Sequence, residues 1–228
     1  MDVRDLPGSL DQSLAKINAR HPWNHNEHFH GWILRNLPAR RHAAVDIGCG
    51  KGELAGKLAT HFAHVTGIDR NEGMAAAART RVLGLPQVSI QRGDFLDYVS
   101  TARDGAADLI TMVAVLHHLD LDEALAPIPR LLAPGGRLLV VGLARASSLA
   151  DLAFDVASGA ANPVMGLIKH PRPVGGQGIA LDEQPVMPMM DPATTFAEIS
   201  KAARVHLPGS SVRRRMFFRY TLRWEKSR

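Results

Sequence analysis

Three carboxylates stand at or near the ends of three successive apolar runs in the first half of this chain: Asp46, Asp69 and Asp94. A carboxylate accepts hydrogen bonds from hydroxyl and amino groups and balances positive charge. Asp69 follows Asp46 by just over twenty residues. At the tip of a second strand, an acid at that interval can hold both hydroxyls of a ribose. Between the two acids runs Gly48-Cys49-Gly50-Lys51-Gly52. Such glycines let the backbone turn sharply and let a ligand approach without meeting a Cβ. A helix opening near Glu53 adds free N–H groups and a partial positive charge. Further along, His117 and His118 sit side by side after a fourth apolar run. An imidazole there can take a proton near neutral pH, while packing and helix initiation are the plainer roles for the pair. Cys49 lies inside the glycine loop, where a small space-filling side chain is a plainer reading than a nucleophile.

These residues need elements to position them. Ala43–Ile47 is short and apolar, as a central parallel strand should be. His64–Asp69, residues 87–92 and residues 108–113 read as three more strands. Leu132-Ala133-Pro134-Gly135-Gly136 is a turn leading into a fifth. Leu54 and Leu58 share one helix face, and Asn71 with Glu72 makes a good start for the helix after strand two. Pro127 and Pro129 must bend or shorten the helix expected over 122–132. Asp191-Pro192 suits an N-cap and first helical position, opening a helix to about Arg204. Residues 211–217 and 219–225 alternate well enough to be two strands.

The glycine loop, the strand-end acids and Leu-x-Pro-Gly-Gly resemble, motif by motif over residues 43–142, the class I S-adenosylmethionine-dependent methyltransferases. The likeness is to their small-molecule, methyltransferase type 11-like branch, and it returns at 211–225. It implies an α/β, Rossmann-like fold: a seven-stranded, mostly parallel sheet with helices on both faces. Strand order would be 3-2-1-4-5-7-6, with an antiparallel C-terminal strand. It also implies S-adenosyl-L-methionine as cofactor, S-adenosyl-L-homocysteine as product and a small-molecule acceptor. By the same resemblance, Gly48, Cys49 and Gly50 lie against the methionine end, with Asp46 placing the ammonium. Asp69 takes the ribose hydroxyls, with Arg70 and Met74 beside the adenosine. Asp94 accepts from the adenine amino group and Phe95 gives its backbone N–H to the ring. The backbone of Val113 and Ala114 faces the sulfonium, close to His117 and His118. Each acid also has a simpler possible role as a helix cap.

Residues 1–40 read as an N-terminal helical lid ahead of a methyltransferase domain at 41–228. Residues 10–20 have helical spacing, Pro22 breaks it, and a second helix is expected over 24–37. Trp23, Asn26, His28 and His30 are the lid residues expected near substrate. His21, His25 and His28 share helical spacing, but no carboxylate or cysteine accompanies them, and no metal is expected. Residues 147–190 are expected to be a substrate-side insertion; after an opening helix they turn rich in Pro, Gly and Met from 159.

The chain has 228 residues, enough for one α/β domain with a sizeable core. No apolar run is long enough to cross a bilayer, and no signal-peptide core is seen near Met1. The single cysteine permits no intramolecular disulfide, so a cytoplasmic location is expected. The net charge of +5 admits nucleic acid as a partner. The arginines crowd the last segment, however, where an edge hairpin kept soluble by charge explains them without an RNA motif. An NAD-dependent oxidoreductase needs glycine where Glu53 stands. An RNA methyltransferase, a protein methyltransferase and a non-catalytic cofactor-binding protein are also compatible with the motifs. Hydroxyl, amine, carbon and thiol acceptors fit these residues equally well, and several oligomeric states are compatible with the chain.

Overall fold

A computed structural model describes residues 25–145, 192–215 and 219–228. Seven strands form one sheet in the order β3-β2-β1-β4-β5-β7-β6. They are β1 Ala43–Ile47, β2 His64–Asp69, β3 Val88–Arg92, β4 Ala107–Val113, β5 Leu132–Leu143, β6 Ser211–Arg215 and β7 Arg219–Glu225. The first five are parallel, and β7 runs antiparallel between β5 and β6. The helices are α1 His25–Arg35, α2 Glu53–Leu58, α3 Glu72–Arg81, α4 Phe95–Thr101, α5 Leu121–Leu125, α6 Ile128–Leu131 and α7 Phe196–His206. The expected strand order and the antiparallel last strand are both present.

The sheet is apolar on both faces because each is covered. On one face Val45, Ile47, Ile110, Met112, Leu138 and Val140 pack with Leu125, Ile128, Ile199 and Leu207 from α5, α6 and α7 and its C-cap. On the other, Ala44, Val65, Leu109, Leu139 and Val141 meet Phe29 and Ile33 of α1 and Leu54 and Leu58 of α2. Alternate residues of one strand serve opposite cores, which is why the central strands read as continuous apolar runs rather than as an alternation.

Buried charge fixes the amino edge of the sheet. Asp108 is 3% exposed. Its Oδ2 accepts the backbone N–H groups of His42 and Ala43 at 2.7 and 3.0 Å, and Arg40 Nε lies 3.2 Å from Oδ1. The start of β1 is thereby tied to β4. Arg137 on β5 donates to the carbonyls of Asn36 and Leu37 just beyond α1, and to Glu225 on β7. A cation at a helix C-terminus satisfies carbonyls that have no partner within the helix. Gly136 has a steric reason to be glycine: a Cβ there would lie 2.8 Å from the Ala133 carbonyl oxygen.

Three local expectations change. Pro127 and Pro129 leave two short helices, α5 and α6, in place of one. β5 begins at Leu132, so the Leu-x-Pro-Gly-Gly turn is absorbed into the strand as an irregularity, with a register shift against β4. The last helix does not open at Asp191-Pro192. Thr195 is its N-cap, accepting from the Glu198 N–H at 3.2 Å, while the Glu198 carboxylate accepts from the Thr195 N–H at 2.7 Å. That reciprocal pair satisfies two donors at once, which an Asp-Pro start cannot do. The expected helix at 10–20 and the insertion at 147–190 lie outside the described residues. Thr195→Ala should cost about 1 kcal/mol of stability, since the cap donors lose their acceptor; urea denaturation measures it, and an unchanged midpoint would show that the cap carries no stability.

Candidate active site

The carboxyl ends of β1, β2 and β4 meet around the glycine loop. Gly48, Gly50 and Gly52 all have positive φ, at 64°, 53° and 76°. Side chains other than glycine rarely take that conformation. At Gly48 the space is also closed, because a Cβ would lie 2.2 Å from Val115 Cγ2. The Asp69 carboxylate pins the loop to β2. Its Oδ2 accepts the Gly50 N–H at 2.8 Å and its Oδ1 accepts the Asn71 N–H at 2.9 Å. Each oxygen retains a second lone-pair direction, so the carboxylate can still accept two further hydrogen bonds.

Asp46 is of a different kind. It is 2% exposed, and Thr111 Oγ1 on the neighbouring strand donates to its Oδ1 at 2.7 Å. Burial pushes its pKa up to about 7, the Thr111 hydrogen bond opposes that rise, and the nearby Asp69 charge adds to it. A buried carboxylate of this kind favours a cationic partner. Thr111 is a site residue that sequence reasoning did not single out. It is the one hydroxyl in the strand Ala-Asp-Leu-Ile-Thr-Met-Val, and that polar interruption is the signal.

Asp94 is the N-cap of α4, with its Oδ1 on the Leu96 N–H at 3.2 Å and the Asp97 carboxylate reaching back to the Asp94 N–H. The simpler role foreseen for an acid is thus realised here, and one carboxylate oxygen is engaged in it. Phe95 is buried in the core behind it. Met74 is buried on α3, and its N–H donates to the Asn71 cap; Arg70 is exposed at the tip of β2. Cys49 is buried, and its Sγ would lie 3.0 Å from a Cβ at Gly67. Burial first, then the Asp46 and Asp69 charges, push its thiol pKa up. It packs space and is not poised as a thiolate.

Val113 and Ala114 end β4. Ala114 has φ of +57°, the one non-glycine residue with positive φ among the described residues, and its N–H donates to Val141 at 2.7 Å. Strain of this kind concentrates at ligand sites. A 3-10 turn, Leu116–His118, follows at once. The His117 and His118 rings lie 4.0 Å apart between centroids, tilted by 38°. Both Nδ1 atoms are buried and have no partner among the described residues. Burial, then the His118 and Arg219 charges, lower the His117 pKa to about 4. Burial and the Arg70 charge lower that of His118. Desolvation thus moves both rings below the ordinary imidazole range, away from the neutral titration expected of the pair.

The lid residues divide. Trp23 lies outside the described residues, and Asn26 is placed only by its backbone in α1. His30 is 5% exposed, with Nδ1 3.0 Å from Lys57 Nζ on α2. His28 stands edge-on to Phe29 at 5.1 Å. Phe29, Ile33 and Leu37 anchor this segment in the core, so its later turns are fixed structure. Among the described residues no group of three or more His, Cys, Asp and Glu could hold a metal, and no helix is long and apolar enough to cross a membrane.

A family model described as a methyltransferase domain matches residues 45–140. An uncharacterized methyltransferase of Mycobacterium tuberculosis is 30% identical over 207 residues, covering 89% of this chain and 96% of that protein. A ubiquinone biosynthesis O-methyltransferase of Aromatoleum aromaticum is 32% identical over 108 residues, covering 47% of this chain and 46% of the relative. A SAM-dependent methyltransferase structure from Aquifex aeolicus shares the fold, with a TM-score of 0.56 at 15% identity over 97% of this chain and 99% of that one.

Asp46 yields a prediction about pH. Its folded pKa is about 7 against an ordinary 3.8, so the folded state holds a proton that the unfolded state has released between those values. The carboxylate therefore costs stability as pH rises through that window. Asp46→Asn removes the charge, and its advantage over wild type should widen by about 3 kcal/mol between pH 5 and pH 8. Urea melts at both pH values measure this; a difference that ignores pH would overturn the assignment.

Proposed function

Because this chain belongs to the class I S-adenosylmethionine-dependent methyltransferases, we propose that it transfers the methyl group of S-adenosyl-L-methionine to a small-molecule acceptor, releasing S-adenosyl-L-homocysteine. The observation that carries the cofactor assignment is the pair of acids at the glycine loop, one desolvated and one half-satisfied. Asp46, buried and short of positive charge, suits the ammonium of the methionine moiety. Asp69, with both oxygens still able to accept, suits the two ribose hydroxyls. The small-molecule assignment is supported by relatives such as the O-methyltransferase of Aromatoleum aromaticum.

We assign the remaining roles from the resemblance of the motifs. Gly48, Cys49 and Gly50 form a floor on which only backbone and a buried thiol meet the ligand. Arg70 and Met74 flank the adenosine, Met74 from within the α3 packing. Asp94 offers its second oxygen to the adenine amino group, and Phe95 its backbone N–H. Val113 and the strained Ala114 set the backbone facing the reacting methyl. Residues 1–40 and 147–190 build a lid and a substrate-side insertion, with Trp23, Asn26, His28 and His30 on the lid. The cofactor, when bound, supplies a methyl group activated by a sulfonium. What the protein adds is alignment of the acceptor and, for a hydroxyl acceptor, removal of a proton.

We assign removal of that proton to His117 or His118. Both are neutral at pH 7, so an imidazole nitrogen is ready to accept. A pKa near 4 makes His117 a weak base, because basicity falls with pKa. His118 is the less buried of the two and is the better candidate.

Two outcomes are expected. Calorimetry should show S-adenosylhomocysteine binding, no NAD binding, and a loss of a few kcal/mol of cofactor affinity, about two orders of magnitude or more, in Asp69→Ala. Tight NAD binding or an unaffected mutant would refute the cofactor assignment. If the acceptor is a hydroxyl, His118→Ala should lower kcat by ~10²–10⁴-fold with cofactor affinity intact. The wild-type rate should then fall only at pH values below the ordinary imidazole range, because burial first and then the Arg70 charge lower the His118 pKa. A His118→Ala variant within a few-fold of wild type at every pH would remove the histidine from the chemistry.

A further inference from the structure

Two arginines face each other across the last two strands. Arg215 on β6 and Arg219 on β7 are direct register partners. Tyr220, Leu222 and Trp224 belong to the core under α5, α6 and α7. Arg219, Thr221 and Arg223 therefore look to the opposite face of the sheet, the one that carries Asp46 and Asp69. Arg213 and Arg215 share that face, and Arg215 Nε donates to Thr221 Oγ1 at 3.1 Å across the strands.

Like charges directly opposite one another in an antiparallel pair are destabilising. β6 and β7 contain one acid, Glu225. It lies at the far end of β7, where it pairs with Arg137 at 2.8 Å and Arg223 at 3.7 Å.

The location is informative. Arg219 is the register partner of Leu143, the last residue of β5. That puts it at the carboxyl edge of the sheet, the edge where the glycine loop and the tip of β4 lie. Its charge reaches His117 closely enough to help keep that ring neutral. Arg219 is also largely withdrawn from water, and burial lowers its pKa to about 10, so it stays cationic at neutral pH. A desolvated guanidinium binds a planar or tetrahedral anion through two parallel N–H donors, and more strongly than it would at an exposed site.

We propose that Arg215 and Arg219 form a receptor for an anionic group, a carboxylate or a phosphate, carried by the methyl acceptor. The anion bridges the two guanidinium groups, close to His117. Neither guanidinium need be idle before the acceptor arrives. Each has five N–H donors, enough to serve an internal partner and an incoming anion together. This receptor rests on the methyltransferase reading above and narrows it to an acidic acceptor. It also gives part of the C-terminal arginine cluster a task beyond keeping an edge strand soluble.

The test uses the full chain saturated with S-adenosylhomocysteine. Calorimetric titration with inorganic phosphate and with benzoate separates the two anion chemistries, and benzamide is the neutral control. The wild type should bind at least one anion saturably and should ignore benzamide. Arg219→Gln and Arg215→Gln should each weaken that binding at least tenfold, Arg219→Lys less, and S-adenosylhomocysteine affinity should not change in any of them. If the wild type binds neither anion, or if anion affinity survives the Gln substitutions while the melting temperature falls, the pair serves only the fold and the receptor is refuted. Should Arg219→Gln fail to fold, Arg215→Gln on the edge strand decides the matter alone. Failure to bind S-adenosylhomocysteine at all would instead count against the cofactor assignment, so the two failures are distinguishable.

Discussion

The hydrogen bonds of the Asp69 carboxylate hold the glycine loop to the carboxyl edge of the sheet. One oxygen ties the glycine loop to the tip of β2 through Gly50, and the other steadies the chain as it turns towards α3 through Asn71. Three glycines with positive φ would otherwise leave that loop with more freedom than any other residue type allows. The carboxylate orders the loop in advance, and an ordered loop loses less entropy on binding than a free one. The same side chain raises the pKa of Asp46 through its charge. Asp69 thus orders the loop and adds its charge to a rise in the Asp46 pKa whose main cause is burial.

That rise is permitted because the sheet has no polar alternative at this point. Ile47 and Val45 belong to one core and Ala44 to the other, and Asp46 faces inward among apolar neighbours. The side chain that donates to it, the Thr111 hydroxyl, is neutral and leaves its charge unbalanced. Natural folds lose stability at such sites in exchange for a prepared binding surface. The positive φ of Ala114 at the next strand tip is a second departure from local preference, in the same place.

Much of this was legible in the sequence, and the reasons differ by residue. The parallel strands announce themselves because burial on both faces makes them uniformly apolar, and Asn71 is a cap by residue type alone. Thr195 was readable through Thr-x-x-Glu, yet the Asp-Pro pair four residues earlier is a stronger local signal and concealed it. Thr111 and Asp46 meet only through the pairing of β1 with β4, sixty-five residues apart in sequence, which local pattern does not encode. The low pKa of His117 depends on burial and on Arg219, which arrives from the other end of the chain. Local chemistry reads from neighbours in sequence, whereas electrostatics reads from neighbours in space.

The placement of β7 between β5 and β6 has a kinetic consequence. Strands β1 to β5 are joined by short crossovers, so their contacts form at modest loop-closure cost. β7 must return from beyond residue 192 to pair with β5, and contacts so distant in sequence form slowly. Until it docks, β5 is an open edge carrying Leu138, Leu139, Val140 and Val141. An apolar, unpaired strand of that kind is a template for association with other chains. The finished sheet ends instead on β6, short and rich in arginine, which other strands pair with poorly. The antiparallel insertion thus moves the sheet's boundary from an adhesive strand to a repellent one, and the interval before it docks is when the chain is most exposed to aggregation.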